Sequence, residues 1–174
     1  MALNLTEEIE SVGDFRMPEM IAAETGKVLT EQEAYLFLIR AAEIVSAPVA
    51  DLFASNGVSG KQYNALRAIR RAGPAGATVN EIRHQMTDPR ADVTRLIDRL
   101  VRDRLVKRRN DKSDRRIVRV VLSETGNQVL ANIDAPLLEV HMAQFRQFDA
   151  DELAQLKGLL KKVSSAGPVE QSSE

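Results

Sequence analysis

Apolar residues recur at helical spacing through most of the chain, and the period changes once. Tyr35, Leu38, Ala42, Val45, Val49 and Phe53 fall three or four residues apart, as do Tyr63, Leu66 and Ile69, and then Val93, Leu96, Ile97 and Leu100. From Leu105 the period shortens, and Val118, Val120 and Leu122 alternate with Arg119 and Val121, which is strand spacing. Asn110 to Asp114 form a compact polar turn flanked by Arg108, Arg109, Arg115 and Arg116, so two short strands should pair as a hairpin. Helical spacing then returns at Val129, Ile133, Leu137, Leu138, Met142 and Phe145, and again at Leu153, Leu156, Leu159, Leu160 and Val163.

Local signals divide these segments. Thr30 with Glu33, Ser59 with Gln62, Thr78 with Glu81 and Asp149 with Glu152 have the spacing of capping boxes, in which each end satisfies a free amide of the other. Asn56-Gly57 should end the first helix, Ala72-Gly73-Pro74 the second, and Ser123 should cap a long helix running to about Gln147. Pro48 and Pro136 fall inside helical segments and should bend them. A short helix from Thr78 carries Ile82 and Met86 inward. Thr87-Asp88-Pro89 then turns into an arginine-rich helix, with Asp88 as its cap and Pro89 at its first position. Two short helices so closely connected, the second basic, are the helix-turn-helix arrangement.

Composition sharpens this reading through the distribution of charge. The formal net charge of the 174 residues is −1, but Gly57 to Leu122 hold 17 Lys and Arg against 7 Asp and Glu, a net of +10, which leaves −11 elsewhere. A module this basic between acidic flanks suits a polyanion, and the alternative is a solvated basic face without a partner. The expected fold is mainly α with a small β-hairpin wing (α+β). Residues 57–122 form a winged helix-turn-helix DNA-binding lobe, 31–56 a dimerisation helix and 123–163 C-terminal dimerisation helices. Residues 1–30 read as an extension, partly disordered or a short helix, and 164–174 as a disordered tail. The outer helices carry more apolar surface than the small lobe can cover, which points to a homodimer rather than a monomer whose end helices pack on their own lobe.

Several function classes drop out. The sequence has no cysteine and two histidines, His84 and His141, and no HExxH, GxSxG, Walker or GxGxxG pattern, so we expect no enzyme, no catalytic residue, no metal and no cofactor. His84 and Asp88 supply two metal-type side chains at helical spacing, too few for a site. No apolar run reaches the length of a membrane helix, and MALNLTEEIESVGDF is acidic where a secretory signal is basic; the expected location is cytoplasmic.

The segments VTRLIDRLVRDRLVKRR and NDKSDRRIVRVVLSETG, with Asp111, Asp114, Arg115 and Arg116 in the wing and a following Ser-x-x-Gly, resemble the MarR family of bacterial winged-helix transcription regulators. The similarity extends over about residues 31–163, including FDADELAQLKGLLKKV. It implies a homodimer on pseudo-palindromic double-stranded DNA, commonly a repressor released by a small aromatic or phenolic ligand. By position, Arg90, Thr94, Arg95 and Arg99 belong to the recognition helix, while Lys112, Asp114 and Arg115 belong to the wing, with Asp114 holding its shape and Arg115 reaching the minor groove. Arg is a natural partner of guanine and of a narrow minor groove, and Thr of a thymine methyl. Lys107, Arg108 and Arg109 read as phosphate contacts, although Arg99 and Arg102 also have a helix-internal partner in reach, Asp98 for Arg102. Arg83 replaces a small alanine in the first helix of the motif, and Arg104 a common glycine after the recognition helix, where a left-handed backbone costs Arg more than Gly. Phe37, Arg40, Phe53 and Tyr63 are candidates for a ligand pocket and equally good core residues. The competing function is a winged-helix dimer that acts mainly through protein–protein contacts.

Overall fold

A computed structural model describes residues 30–86, 92–111 and 113–165. In order these are α1 (Thr30–Ser55), α2 (Gly60–Arg71), a 3-10 turn (Gly73–Ala75), α3 (Val79–His84), α4 (Val93–Arg102), β1 (Val106–Asn110), β2 (Val118–Leu122), α5 (Glu124–Gln144) and α6 (Ala150–Ser165). The mainly helical fold with an antiparallel hairpin is the one expected. Two compact units divide between Ala47 and Pro48.

The capping boxes are read correctly at three places. Ser59 accepts from Gln62 N while Gln62 Oε1 accepts from Ser59 N at 2.8 Å, and Thr78 and Glu81 repeat the exchange. Asp149 Oδ1 takes Glu152 N and Glu152 Oε2 takes Asp149 N, at 2.8 and 2.9 Å. Thr30, by contrast, expected as a cap, is the first residue of α1. Both Pro48 and Pro136 sit inside continuous helices. α5 ends at Gln144 rather than near Gln147, and α3 ends at His84, leaving Met86 outside it. Ser164 and Ser165 belong to α6 and not to a tail; the expectations for residues 1–29 and 166–174 fall outside the described residues.

The core of the second unit gathers Phe53 and Val58, then Tyr63, Leu66 and Ile69 of α2, Ile82 of α3, Val93, Leu96, Ile97 and Leu100 of α4, Val106 and Val120 of the hairpin, and Leu130, Ile133 and Leu137 of α5. Burial of these side chains, each contributing roughly 1.5–3 kcal/mol, is what holds α4 and the hairpin on one scaffold. A bidentate ion pair from Arg70 to Asp134, at 2.6 and 2.9 Å, adds a polar tie between α2 and α5. The hydrogen-bonded guanidinium holds the Asp134 carboxyl below the usual carboxylate range.

α1 and α4 end in the same way. Val58 N reaches Phe53 O and Gly57 N reaches Ala54 O with Gly57 at φ 72°; Leu105 N reaches Leu100 O and Arg104 N reaches Val101 O with Arg104 at φ 59°. Both are Schellman endings, each closed by a buried apolar pair. Only Arg104 occupies the left-handed position with a side chain that disfavours it. Arg104→Gly should therefore stabilise the fold by about 1 kcal/mol. A rise in the urea midpoint at unchanged slope is the expected result; a fall would mean that the arginine side chain contributes more than its backbone costs.

Candidate nucleic-acid interface

α4 begins at Val93, with Asp92 as N-cap accepting from Arg95 N at 3.1 Å. The expected cap at Asp88 with Pro89 at the first helical position is thus corrected: α4 starts four residues further on, with Asp92 in the capping role. Residues 87–91, including Arg90, lie outside the described residues, as does Lys112. Val93, Leu96, Ile97 and Leu100 are buried, which turns Thr94, Arg95, Asp98, Arg99 and Arg102 outward. Arg95 pairs with Asp92 at 3.2 Å, and its side chain is 79% exposed. Arg102 pairs with Asp103 at 3.0 Å instead of Asp98. Thr94 and Arg99 make no side-chain hydrogen bond to another described residue.

Asp98 is engaged from the hairpin, by Arg108 of β1 at 2.7 Å. On the opposite face of the hairpin, Arg109 donates to the carbonyls of Pro74 and Ala75, and Arg119 donates to Asp111 and to Gly76 O at 3.2 Å. Three of the arginines that make this stretch so basic are therefore already committed within the protein. Lys107, Arg115 and Arg116 remain exposed, the last two in the turn at the tip.

The tip is shaped mainly by Asp111. Its Oδ1 accepts from Ser113 N at 2.8 Å, Ser113 Oγ at 2.5 Å and Asp114 N at 3.4 Å, and its Oδ2 accepts from Arg119. These bonds hold the Asp111 carboxyl well below the usual carboxylate range, the Ser113 hydroxyl contributing most. Asp114, expected to shape the wing, also does so with a smaller share: its Oδ1 accepts from Arg116 N at 2.9 Å and its carbonyl from Ile117 N at 3.0 Å.

Sequence reasoning overlooked a third, one-residue strand. Ala77 and Val120 exchange both backbone bonds, at 2.9 and 2.7 Å, and this ties the hairpin to the segment ahead of α3. Gly76 allows it, because a Cβ there would meet Val120 O at 2.5 Å. A glycine beside an expected turn was the one available signal.

Of the ligand-pocket candidates, Phe53 and Tyr63 are buried and stacked, with ring centroids 4.4 Å apart. Arg67 lies over the Tyr63 ring at 5.7 Å. Phe37 is 54% exposed, and Arg40 pairs with Glu43 along the same helix at 3.7 Å.

An exposed polar face on the second helix of a helix-turn-helix, beside a hairpin whose tip presents arginines, is a surface shaped for duplex DNA. The MarR family model matches residues 56–117, which span the lobe from the end of α1 to the wing. The MarR transcription factor from Planctomyces limnophilus is 35% identical, with a TM-score of 0.55 over 78% of this chain and 98% of that one. The chain belongs to the MarR family. Its members are DNA-binding regulators of transcription and not enzymes, so this protein is one too. The HTH-type transcriptional regulator YpoP of Bacillus subtilis is 28% identical over 106 residues, 61% of this chain and 74% of YpoP. CouR from Rhodococcus jostii RHA1, solved bound to p-coumaroyl-CoA, shares the fold at 20% identity, with a TM-score of 0.65 over 83% of this chain and all of CouR. Among the described residues no helix is long and apolar enough to cross a membrane.

Proposed function

We propose that this MarR-family regulator is a homodimeric repressor that binds a pseudo-palindromic operator in the bacterial cytoplasm and is released by a small aromatic ligand. The observation that carries the dimer is α6. It presents Leu153, Leu159, Leu160 and Val163, yet none of its residues is buried, and Leu159 stands 60% exposed. Leu138 and Met142 of α5 are exposed in the same way, at 61 and 66%. A second copy of the same helices is the simplest cover for such a surface, and a two-fold axis then presents two copies of α4 to one duplex.

In this reading Thr94, Arg95 and Arg99, with Arg90 ahead of them, face the major groove. Arg115 enters the adjacent minor groove, and Lys107 and Lys112 meet phosphates. Arg108 and Arg109 contribute chiefly by holding the hairpin, because their guanidinium groups already have acceptors. Release by an aromatic ligand is supported by the shared fold with CouR and its p-coumaroyl-CoA; Phe37, Arg40, Phe53 and Tyr63 are the residues we would vary first.

Selection of bound fragments from genomic DNA tests the reading. It should enrich one pseudo-palindrome with half-site centres about one helical turn, roughly 10 base pairs, apart. Affinity for it should fall steeply with salt, and Arg115→Ala should weaken binding while leaving the dimer intact in sedimentation. No enriched sequence, or association indifferent to salt, would instead favour a dimer working through protein contacts.

A further inference from the structure

We propose that Asp111 and Arg119 are positioning residues that lock the wing tip to the N-terminus of α3, and so set where Arg115 and Arg116 meet DNA. The inference rests on the reading of the wing as a DNA contact and deepens it.

The hairpin poses an electrostatic problem. Arg109 and Arg119 are direct cross-strand partners, and like charges at such a position repel. Both side chains resolve it by turning onto three successive carbonyls of one turn: Arg109 onto Pro74 and Ala75, Arg119 onto Gly76. Together with Asp111 and Ser113 they line a cleft of about 420 Å³ between the turn and the wing. Arg119 alone extends further. It donates to Asp111 Oδ2, and its Nη1 lies 3.5 Å from Glu81 Oε2, the oxygen that accepts from Thr78 N at 2.7 Å to cap α3. The other oxygen of Asp111 holds the Ser113 and Asp114 amides at the tip. A continuous line of charged hydrogen bonds thus runs from the tip, through Asp111, Arg119 and Glu81, to the first helix of the helix-turn-helix.

The Asp111–Arg119 pair at its centre is partly shielded from water, whereas Glu81 is exposed. The Asp111 side chain is 14% and that of Arg119 24% exposed, so neither is a free cation or anion for a DNA partner. What the line adds is angular stiffness. An isolated two-stranded hairpin is marginal, and the isolated backbone bridge described between this hairpin and another segment, Ala77–Val120, meets the middle of β2 and leaves the tip beyond it. Two residues of β2 lie between that bridge and the turn, a lever of roughly 7 Å, so a tilt of about 25° would displace the end of the strand by about 3 Å. That is half the width of a minor groove, about 6 Å. A wing free to tilt would miss; a wing bracketed to α3 moves with the recognition unit.

The test uses the full chain and a labelled duplex carrying the operator recovered by selection. Arg119→Gln and Asp111→Asn should each weaken binding roughly tenfold, the size of one charge-assisted contact. Hydroxyl-radical protection should disappear at the minor-groove edges of the site and persist at its centre. The deciding measurement is made in a background of Lys112→Ala, Arg115→Ala and Arg116→Ala. There Arg119→Gln should change neither affinity nor salt dependence, because a misplaced tip without its cations has nothing left to lose. A further loss in that background, with a salt slope reduced by about 0.9, would mean that Arg119 itself meets a phosphate and would overturn the bracket. Wild-type binding by both bracket variants beside a weakened tip variant would also overturn it. A tip variant that binds like the wild type overturns the wing reading itself. If Arg119→Gln is unfolded by circular dichroism, Asp111→Asn, which keeps size and an acceptor oxygen, carries the same comparison.

Discussion

Gly126→Ala should destabilise the protein by about 3 kcal/mol and lower its melting temperature by roughly 10 °C at fixed protein concentration. Glycine is normally a weak helix residue, and replacing it by alanine in an exposed helix gains about 1 kcal/mol. Here the sign reverses. Gly126 lies in the first turn of α5, and a Cβ there would stand 2.1 Å from the Leu105 carbonyl oxygen. That oxygen cannot retreat freely, because Ser123 N at 3.0 Å and the Ser123 hydroxyl at 2.9 Å both approach it. The same hydroxyl accepts from Gly126 N at 2.9 Å and lies 2.7 Å from Arg104 O. The Ser-x-x-Gly spacing is therefore a joint that brings the start of α5 against the chain leaving α4. An alanine would lever α5 away, and with it the buried Leu130, Ile133 and Leu137. Calorimetry of the variant decides the matter: an unchanged or higher melting temperature would show that the joint yields.

Ending the chain after Asp149, so that α6 is removed, should leave a folded lobe that sediments as a monomer and binds its operator at least roughly 100-fold more weakly. The lobe should survive because, among the described residues, every buried core residue lies between Phe53 and Leu137. The loss on DNA follows from linkage: in a dimer the second half-site is engaged at high effective concentration, an advantage of roughly 10² to 10⁴ that a monomer forgoes. A cut after Ser123 would be a poorer test, because it also removes the core side chains of α5. If the shortened chain still sediments as a dimer, α6 is not the interface and the exposed apolar face of α1, with Tyr35 61% exposed, becomes the next to vary.

Much of this was legible from sequence because much of it is local. A capping box needs two side chains three residues apart, so Ser59–Gln62 and Thr78–Glu81 could be read directly. The buried stripe Val93, Leu96, Ile97 and Leu100 follows from helical period alone, and it left Thr94, Arg95 and Arg99 on the outer face. The left-handed residue at 104 was also readable, from an arginine standing where glycine is usual. The start of α4 was misplaced by four residues because Asp88-Pro89 and Asp92 offer the same chemistry, and tertiary packing chooses between them.

Charge shows the division most clearly. That the stretch from Gly57 to Leu122 carries a net charge of +10 is a property of the chain, and it was enough to point to a polyanion. Which arginines are available to meet it depends on acceptors distant in sequence. Arg109 finds its carbonyls 34 and 35 residues away, Arg119 finds Gly76 at 43, and Arg70 finds Asp134 at 64. No periodicity records such distances. Sequence by itself determined the helices, the hairpin and the basic lobe, because these follow from spacing and composition. The tertiary structure alone decided that the strand arginines brace the wing while those at its tip remain exposed, because a guanidinium takes its role from whatever acceptor the fold brings within about 3 Å.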